Sequence, residues 1–498
     1  IYYILLIKVV PRVSVLITKE ADFFRKRRKS MDIVYKKVNA QITPEALAKL
    51  KQKKIIFEST NQQKLKGRYS IVVFDHYGKI TLDNSQLLIK LDNHCEIVKN
   101  QPYQRLKEFV DKYYFEIKDK YLKDLPFISG FIGTCSFDLV RHEFKKLQDI
   151  KLEDHQTHDV QFYLVEDVFV FDHYKDELYI IASNLFSDRT KERLKESIER
   201  KIEDLKNIHF SVEDINYKSI PRHITTNISE QQFVQTIRIL KKKITEGDMF
   251  QVVPSRIYSY KHHFQHNLHQ LTFQLYQNLK RQNPSPYMYY INKDVPIVIG
   301  SSPESFVKVK DGKVYTNPIA GTIKRGQNKK EDENNEKTLM KDEKELSEHR
   351  MLVDLGRNDI HRISKTGTSQ ITKLMTIERY EHVMHIVSEV IGELKPHLSP
   401  MSVIASLLPT GTVSGAPKLR AIQRIYESYP YKRGIYSGGV GYINCNHHLD
   451  FALAIRTMII DEEKVSVEAG CGVVYDSIPE KELEETKLKA KSLLEVTP

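Results

Sequence analysis

The 498-residue chain has no tryptophan, four cysteines, 18 prolines and 20 glycines, and each shortage excludes something. Cys95, Cys135, Cys445 and Cys471 form no CxxC pair and no Cys/His ligand spacing, so neither a disulfide framework nor a zinc site is expected. A reducing, cytoplasmic compartment follows as the expectation. The glycines make no Walker loop and no GxGxxG between a strand and a helix, which disfavours a nucleotide site. The apolar opening IYYILLIKVV and PRVSVLI is interrupted by Lys8 and Arg12 before it reaches a membrane-spanning length.

Charge of one sign is also scarcer than the total suggests. The formal net charge is +12, but residues 1–30 hold eight basic side chains against Glu20 and Asp22, so 8 − 2 = +6 sits in that segment. The rest is spread without a basic stripe interleaved with aromatics, and a nucleic-acid partner is not expected. Because RKRRK follows the apolar run, a secretory signal fits poorly. The expectation is that Met31 begins the native protein and that residues 1–30 are an extension; an Arg-rich transit peptide is the competing reading.

From 31 to 215, short β-like runs such as YSIVVFD and ELYIIAS mix with charged helical stretches, and this region is expected to be a regulatory α/β unit. A turn-rich patch at Ser219 to Pro221 puts the boundary near residue 222, with a catalytic unit over 222–498.

Two glutamate pairs draw attention in that second unit. Glu345 and Glu348, in KELSEHRMLVDL, share a helical face with Leu352 and Leu355, so they are expected to face inward. Carboxylates there need buried ion pairs or a hard cation. Glu482 and Glu485 repeat the spacing, although solvated helices often carry such pairs. Glycine-bearing turns recur in PIAGT, PTGTVSGAPK, YSGGVGY and EAGCG. They offer backbone N–H groups to an anion, with Thr322, Lys418 and Arg456 as helpers. A small carboxylate is the implied ligand.

The strings GDMFQVVPSR, GSSPESF, NPIAGT, KELSEH, MLVDLGRND, GTVSGAPK, AIRT and EET occur in order over residues 230–495, with FEST, GRYS and GFIGTCSFD before them. In this the chain resembles the chorismate-utilising enzymes, and within them the component I branch of anthranilate synthase. The resemblance implies a mixed α/β (α+β) fold, a two-layer sheet assembly flanked by helices around a central cleft. It implies that Glu345, Glu348, Glu482 and Glu485 hold Mg2+ against the substrate's ring carboxylate. Tyr436, Arg456, Gly470, Gly472, Ala320 and Gly321 fall where relatives bind the substrate. Glu304, His385, Gln251 and Thr322 fall in the catalytic group, Glu304 as general acid and His385 in the later loss of pyruvate. For His385, a satisfied core histidine on an apolar helix is the competing reading.

Two positions separate the branches. Gln251 stands where water-adding relatives have lysine, and Ala320 where the aminodeoxychorismate branch has a nucleophilic lysine. Ammonia needs no base to attack, and alanine cannot attack at all. Anthranilate is therefore the expected product, with aminodeoxychorismate synthase and a non-catalytic tryptophan-sensing subunit as rivals. Cys135, in GTCSF, lacks a glutaminase elbow, so a separate glutamine amidotransferase subunit is the expected partner in a hetero-oligomer. Ser59, in FEST, and Pro286, Tyr287 and Met288, in NPSPYMYY, resemble the two walls of an inhibitory tryptophan pocket. The chain departs from the family pattern at Thr134, Arg350, Ser437 and Cys471.

Overall fold

In the strand Lys54–Glu58, Ile55 belongs to one hydrophobic core and its neighbour Ile56 to another. The same alternation separates Tyr289 from Tyr290 in Tyr287–Asn292, and Val298 from Ile299 in Ile297–Ser302. A strand turns successive side chains to opposite faces, so such a run belongs in a sheet buried on both sides. The computed structural model describes residues 31–59, 67–83, 85–92, 94–153, 157–206, 221–264, 267–379 and 383–498. The extension 1–30 and residues 207–220, just ahead of the boundary near 222, lie outside them.

Two large sheets form the frame, and the ladders within both are antiparallel. One sheet has 11 strands, in the order Ile33–Asn39, Glu177–Ser183, Asp167–Asp172, Tyr69–Val73, Lys54–Glu58, Tyr287–Asn292, Ile297–Ser302, Thr457–Ile460, Lys464–Gly470, Ser255–Lys261 and Thr225–Thr226. The other has 12, running from Ile319–Lys324 through Val383–Glu393 and on to His94–Val98, with Gln370–Arg379 paired on Val383–Glu393. A core containing Ile55, Val73, Ile80, Phe131, Phe162 and Val298 fills the space between the layers. On the outer face of the first sheet, Ile56, Tyr290 and Ile299 pack against helix residues Leu194, Leu275 and Leu493.

The sequence boundary near 222 does not divide the sheets. Met288 pairs with Glu58, and Gly439 with Cys135, so each sheet combines strands from before and after that point. No helix among the described residues is long and apolar enough to cross a membrane.

Candidate active site

Four glutamates approach one another from two helices. Glu345 and Glu348 lie on Glu343–Ile363, which Asp342 caps by accepting from the N–H groups of Lys344 and Glu345 at 3.0 and 3.2 Å. His349, Leu352, Val353 and Ile360 bury one side of that helix and leave both glutamates half-buried at its border. Glu482 and Glu485 lie on the C-terminal helix Pro479–Leu494, anchored by Leu483, Thr486, Ala490 and Leu493. Burial raises the carboxyls of Glu345, Glu348 and Glu482, and Glu485 repels all three.

Lys489 offsets part of this charge, meeting Glu485 at 2.5 Å while donating to the Gly470 carbonyl at 2.9 Å. Oε2 of Glu482 and Oε1 of Gln251 are buried without a protein partner. Oxygen donors with surplus negative charge suit a hard cation. Among the described residues, no three acidic, histidine or cysteine side chains stand as a metal-ligand group. The helices thus present carboxylates without closing them into a cage.

Around the glutamates the glycine turns do steric work. The short strand Gln251–Val252 pairs with Gly415–Ala416, and the Gln251 amide donates to Oε1 of Glu348 at 3.0 Å. Gly472 lies against that amide. A Cβ on Gly470 would stand 2.8 Å from the Tyr436 hydroxyl, so any side chain there would displace the tyrosine. Gly321 has φ +81° at a bulge in the strand Ile319–Lys324, and a Cβ there would approach Ile386 to 2.9 Å. Glycine alone takes that conformation without strain.

Arg456 is buried enough for its guanidinium to be pulled below the usual range, with Tyr436 and Glu485 as the opposing influences. It adopts φ +52°, and its Nη1 donates to Ser492 at 3.1 Å. Ala320 and Thr322 stand beside Ile386 and His385 in the adjoining strand. The Thr322 hydroxyl and His385 Nδ1 are 2.8 Å apart. His385 therefore sits not on an apolar helix but on the strand Val383–Glu393, half-buried and polar-bonded. Its β-branched, apolar neighbours fit a pleated surface equally well, which is why local pattern misassigns it. Burial lowers its pKa, with nearby Arg456 adding to that.

Glu304 lies just before the strand Ser305–Lys310 and is buried, which pushes its carboxyl up to about 8. The Thr412 hydroxyl donates to its Oε1 at 2.8 Å and acts in the opposite direction.

The residues suggested for the inhibitor pocket also meet, but not as a single lining. Strand pairing puts Met288 opposite Glu58, next to Ser59, whose hydroxyl is buried without a partner. Tyr287 packs toward the core between the sheets, while Met288 is fully buried on the helix side. Adjacent strand residues point to opposite faces, so Tyr287 and Met288 cannot both line one face of a pocket.

Several participants escaped the sequence reading. Arg433 donates from Nη1 to the Val413 carbonyl at 3.0 Å and also bonds the Val253 carbonyl, tying two turns of the site together. Glu468 is half-buried and accepts from the Ser255 hydroxyl, and desolvation raises its carboxyl to about 7. Lys489 was legible, being four residues after Glu485 on a helix. Thr412 stood inside a quoted string, hidden by its glycines. Of the departures, Ser437 has φ +62°, which glycine takes freely, Cys471 is buried beside Glu482, and Arg350 is exposed.

Half-buried carboxylates from two helices, several close-packed glycine turns and the half-buried Arg456 make up this region, an arrangement typical of enzymes that take small anionic substrates. The chain belongs to the chorismate-binding enzyme family, whose model matches residues 52–495. It is 41% identical to anthranilate synthase component 1 of Lactococcus lactis over 444 residues, 89% of this chain and 94% of that one. The crystal structure of anthranilate synthase component I from Streptococcus pneumoniae matches with a TM-score of 0.75 at 35% identity, over 92% of this chain and 98% of the other. The menaquinone-specific isochorismate synthase of Escherichia coli shares the fold, with a TM-score of 0.68 at 17% identity over 97% and 99% of the two chains. The expected mixed α/β (α+β) fold, a two-layer sheet assembly flanked by helices, is borne out.

Proposed function

We propose that the chain is the chorismate-binding, catalytic component of an anthranilate synthase, converting chorismate and ammonia to anthranilate and pyruvate. The observation that carries this reading is the chemistry at two positions. Gln251, whose amide donates to Glu348, has no basic group with which to take a proton from water. Ala320, beside the helix of Glu345 and Glu348, offers no nucleophile to the ring.

Tyr436, Arg456 and the backbone at Gly470 and Gly472 hold the substrate's carboxylates, the guanidinium through its two-pronged geometry. Glu345, Glu348, Glu482 and Glu485 would hold magnesium, which supplies polarisation of the ring carboxylate. Ammonia forms a C–N bond at the ring carbon beside that carboxylate as the ring hydroxyl departs. Glu304, protonated at neutral pH because burial holds it at about 8, gives the leaving oxygen its proton, so water leaves. Loss of a ring proton and of the enolpyruvyl group as pyruvate then makes the ring aromatic. His385, held by Thr322, stands on the strand facing this step.

Ammonia is supplied by a glutamine amidotransferase subunit, in keeping with relatives named component 1. Residues 31–215 act as the regulatory part and 222–498 as the catalytic part, in a cytoplasmic hetero-oligomer. Tryptophan binds beside Ser59, where the unpartnered hydroxyl supports a polar ligand, with Pro286, Tyr287 and Met288 in the neighbouring strand segment.

Two experiments test this reading. Anthranilate fluorescence should appear with chorismate, ammonium and magnesium, and disappear with EDTA; chorismate consumed without fluorescence would move the chain to the aminodeoxychorismate branch. Because the chain has no tryptophan, bound tryptophan can be followed by its own emission. Ser59→Ala should weaken that binding by about tenfold, the worth of one hydrogen bond; unchanged affinity would remove Ser59 from the pocket.

A further inference from the structure

We infer that Thr412 is the positioning residue of the general acid: its hydroxyl fixes Oε1 of Glu304 as an acceptor and leaves Oε2 to carry the proton toward the substrate. This rests on the reading of Glu304 as the acid, and goes beyond it by naming what orients that acid. The 2.8 Å bond from Thr412 is the first observation. The second is that Thr410 and Thr412 hydroxyls are also 2.8 Å apart. A hydroxyl has one hydrogen, so with Thr412 donating to Glu304, Thr410 must donate to Thr412. The order of donors is then set along three side chains.

The segment bearing these threonines is held at both ends. Lys418, fully buried, forms an ion pair with Asp359 and donates to the Leu407 carbonyl at 3.0 Å. Gly415–Ala416 pairs with Gln251–Val252, and Arg433 bonds the Val413 carbonyl. In the middle, Gly411 sits so close to Leu355 that a Cβ would meet its side chain at 2.6 Å. Such support is what a site needs to hold one hydroxyl against one oxygen. Charged groups on the elements around Glu304 are paired among themselves: Asp359 with Lys418 and, at 3.7 Å, Arg362, and Lys308 with Asp450 at 3.2 Å.

The test uses the full chain and its Thr412→Val, Thr412→Ser and Glu304→Gln variants, with kcat and KM for chorismate followed against pH at constant unprotonated ammonia. Thr412→Val should lower kcat on the order of tenfold, the result of a misaligned acid, with KM unchanged. Its alkaline limb should move up by about one pH unit, because the lost bond had stabilised the carboxylate. Thr412→Ser should restore both. A Thr412→Val variant with the parent's kcat and limb overturns the inference, and so does a raised KM with the limb unmoved, which marks a substrate contact. If Thr412→Val does not fold, Thr410→Val should move the limb the same way by less, and an unmoved limb refutes the ordered donors. A fully active Glu304→Gln brings down the acid reading itself, whereas an inactive one beside a normal Thr412→Val removes only the positioning role.

Discussion

Replacing Glu304 with glutamine should lower kcat by about two to four orders of magnitude, the usual worth of a positioned acid, while KM for chorismate changes little. Glutamine keeps the size and can still accept from Thr412, but it has no proton to give the leaving oxygen. In the proposed mechanism, activity requires the protonated carboxyl. With that carboxyl pushed up to about 8, the acid form is present at neutral pH and is lost as pH rises through that value. An isolated glutamate would already have lost its proton near pH 4.3 and could not serve. The measurement is a pH series of kcat with unprotonated ammonia held constant. An alkaline limb that survives in Glu304→Gln would belong to some other group.

Lys418→Met should destabilise the fold by about 3–5 kcal/mol, because it leaves Asp359 in the interior without its close partner and with only the longer contact to Arg362. Both partners are buried and burial works against each charge; their contact is the main offset, with Arg362 at 3.7 Å a weaker partner of Asp359. Combining Lys418→Met with Asp359→Leu should recover most of the loss, since a buried pair is worth little more than apolar groups of similar volume. Urea unfolding would read both, with a shifted midpoint and an unchanged slope. A single variant as stable as the parent would show that Asp359 is protonated in the fold. The pair also anchors the segment of Thr412, so Lys418→Met should cost activity under conditions where it remains folded.

Much of the site was legible because its side chains fall on regular elements. Glu345 and Glu348, and again Glu482 and Glu485, lie three apart on helices that the structure contains. The glycines at 321, 470 and 472 were read as turns offering backbone N–H groups to an anion, and in the fold they lie close against Ile386, Tyr436 and Gln251. His385 was harder, since an apolar stretch with valines and isoleucines fits strand and helix alike. Tyr287 and Met288 were read together as a lining, yet they share a strand, whose alternation sends them to different cores.

By itself the sequence determined what depends on order and spacing: the family strings, the glutamate pairs, and the glutamine and alanine at 251 and 320. Only the tertiary structure decided that Met288 pairs with Glu58 and Gly439 with Cys135, so that both sheets take strands from each half. Likewise, Thr412 reaches Glu304 across 108 residues, and Lys418 reaches Asp359 across 59. These contacts are set by the packing of two sheets and by the desolvation that goes with it. Neither leaves a periodic trace in the chain, because periodicity records which face a residue presents and not which distant residue it meets.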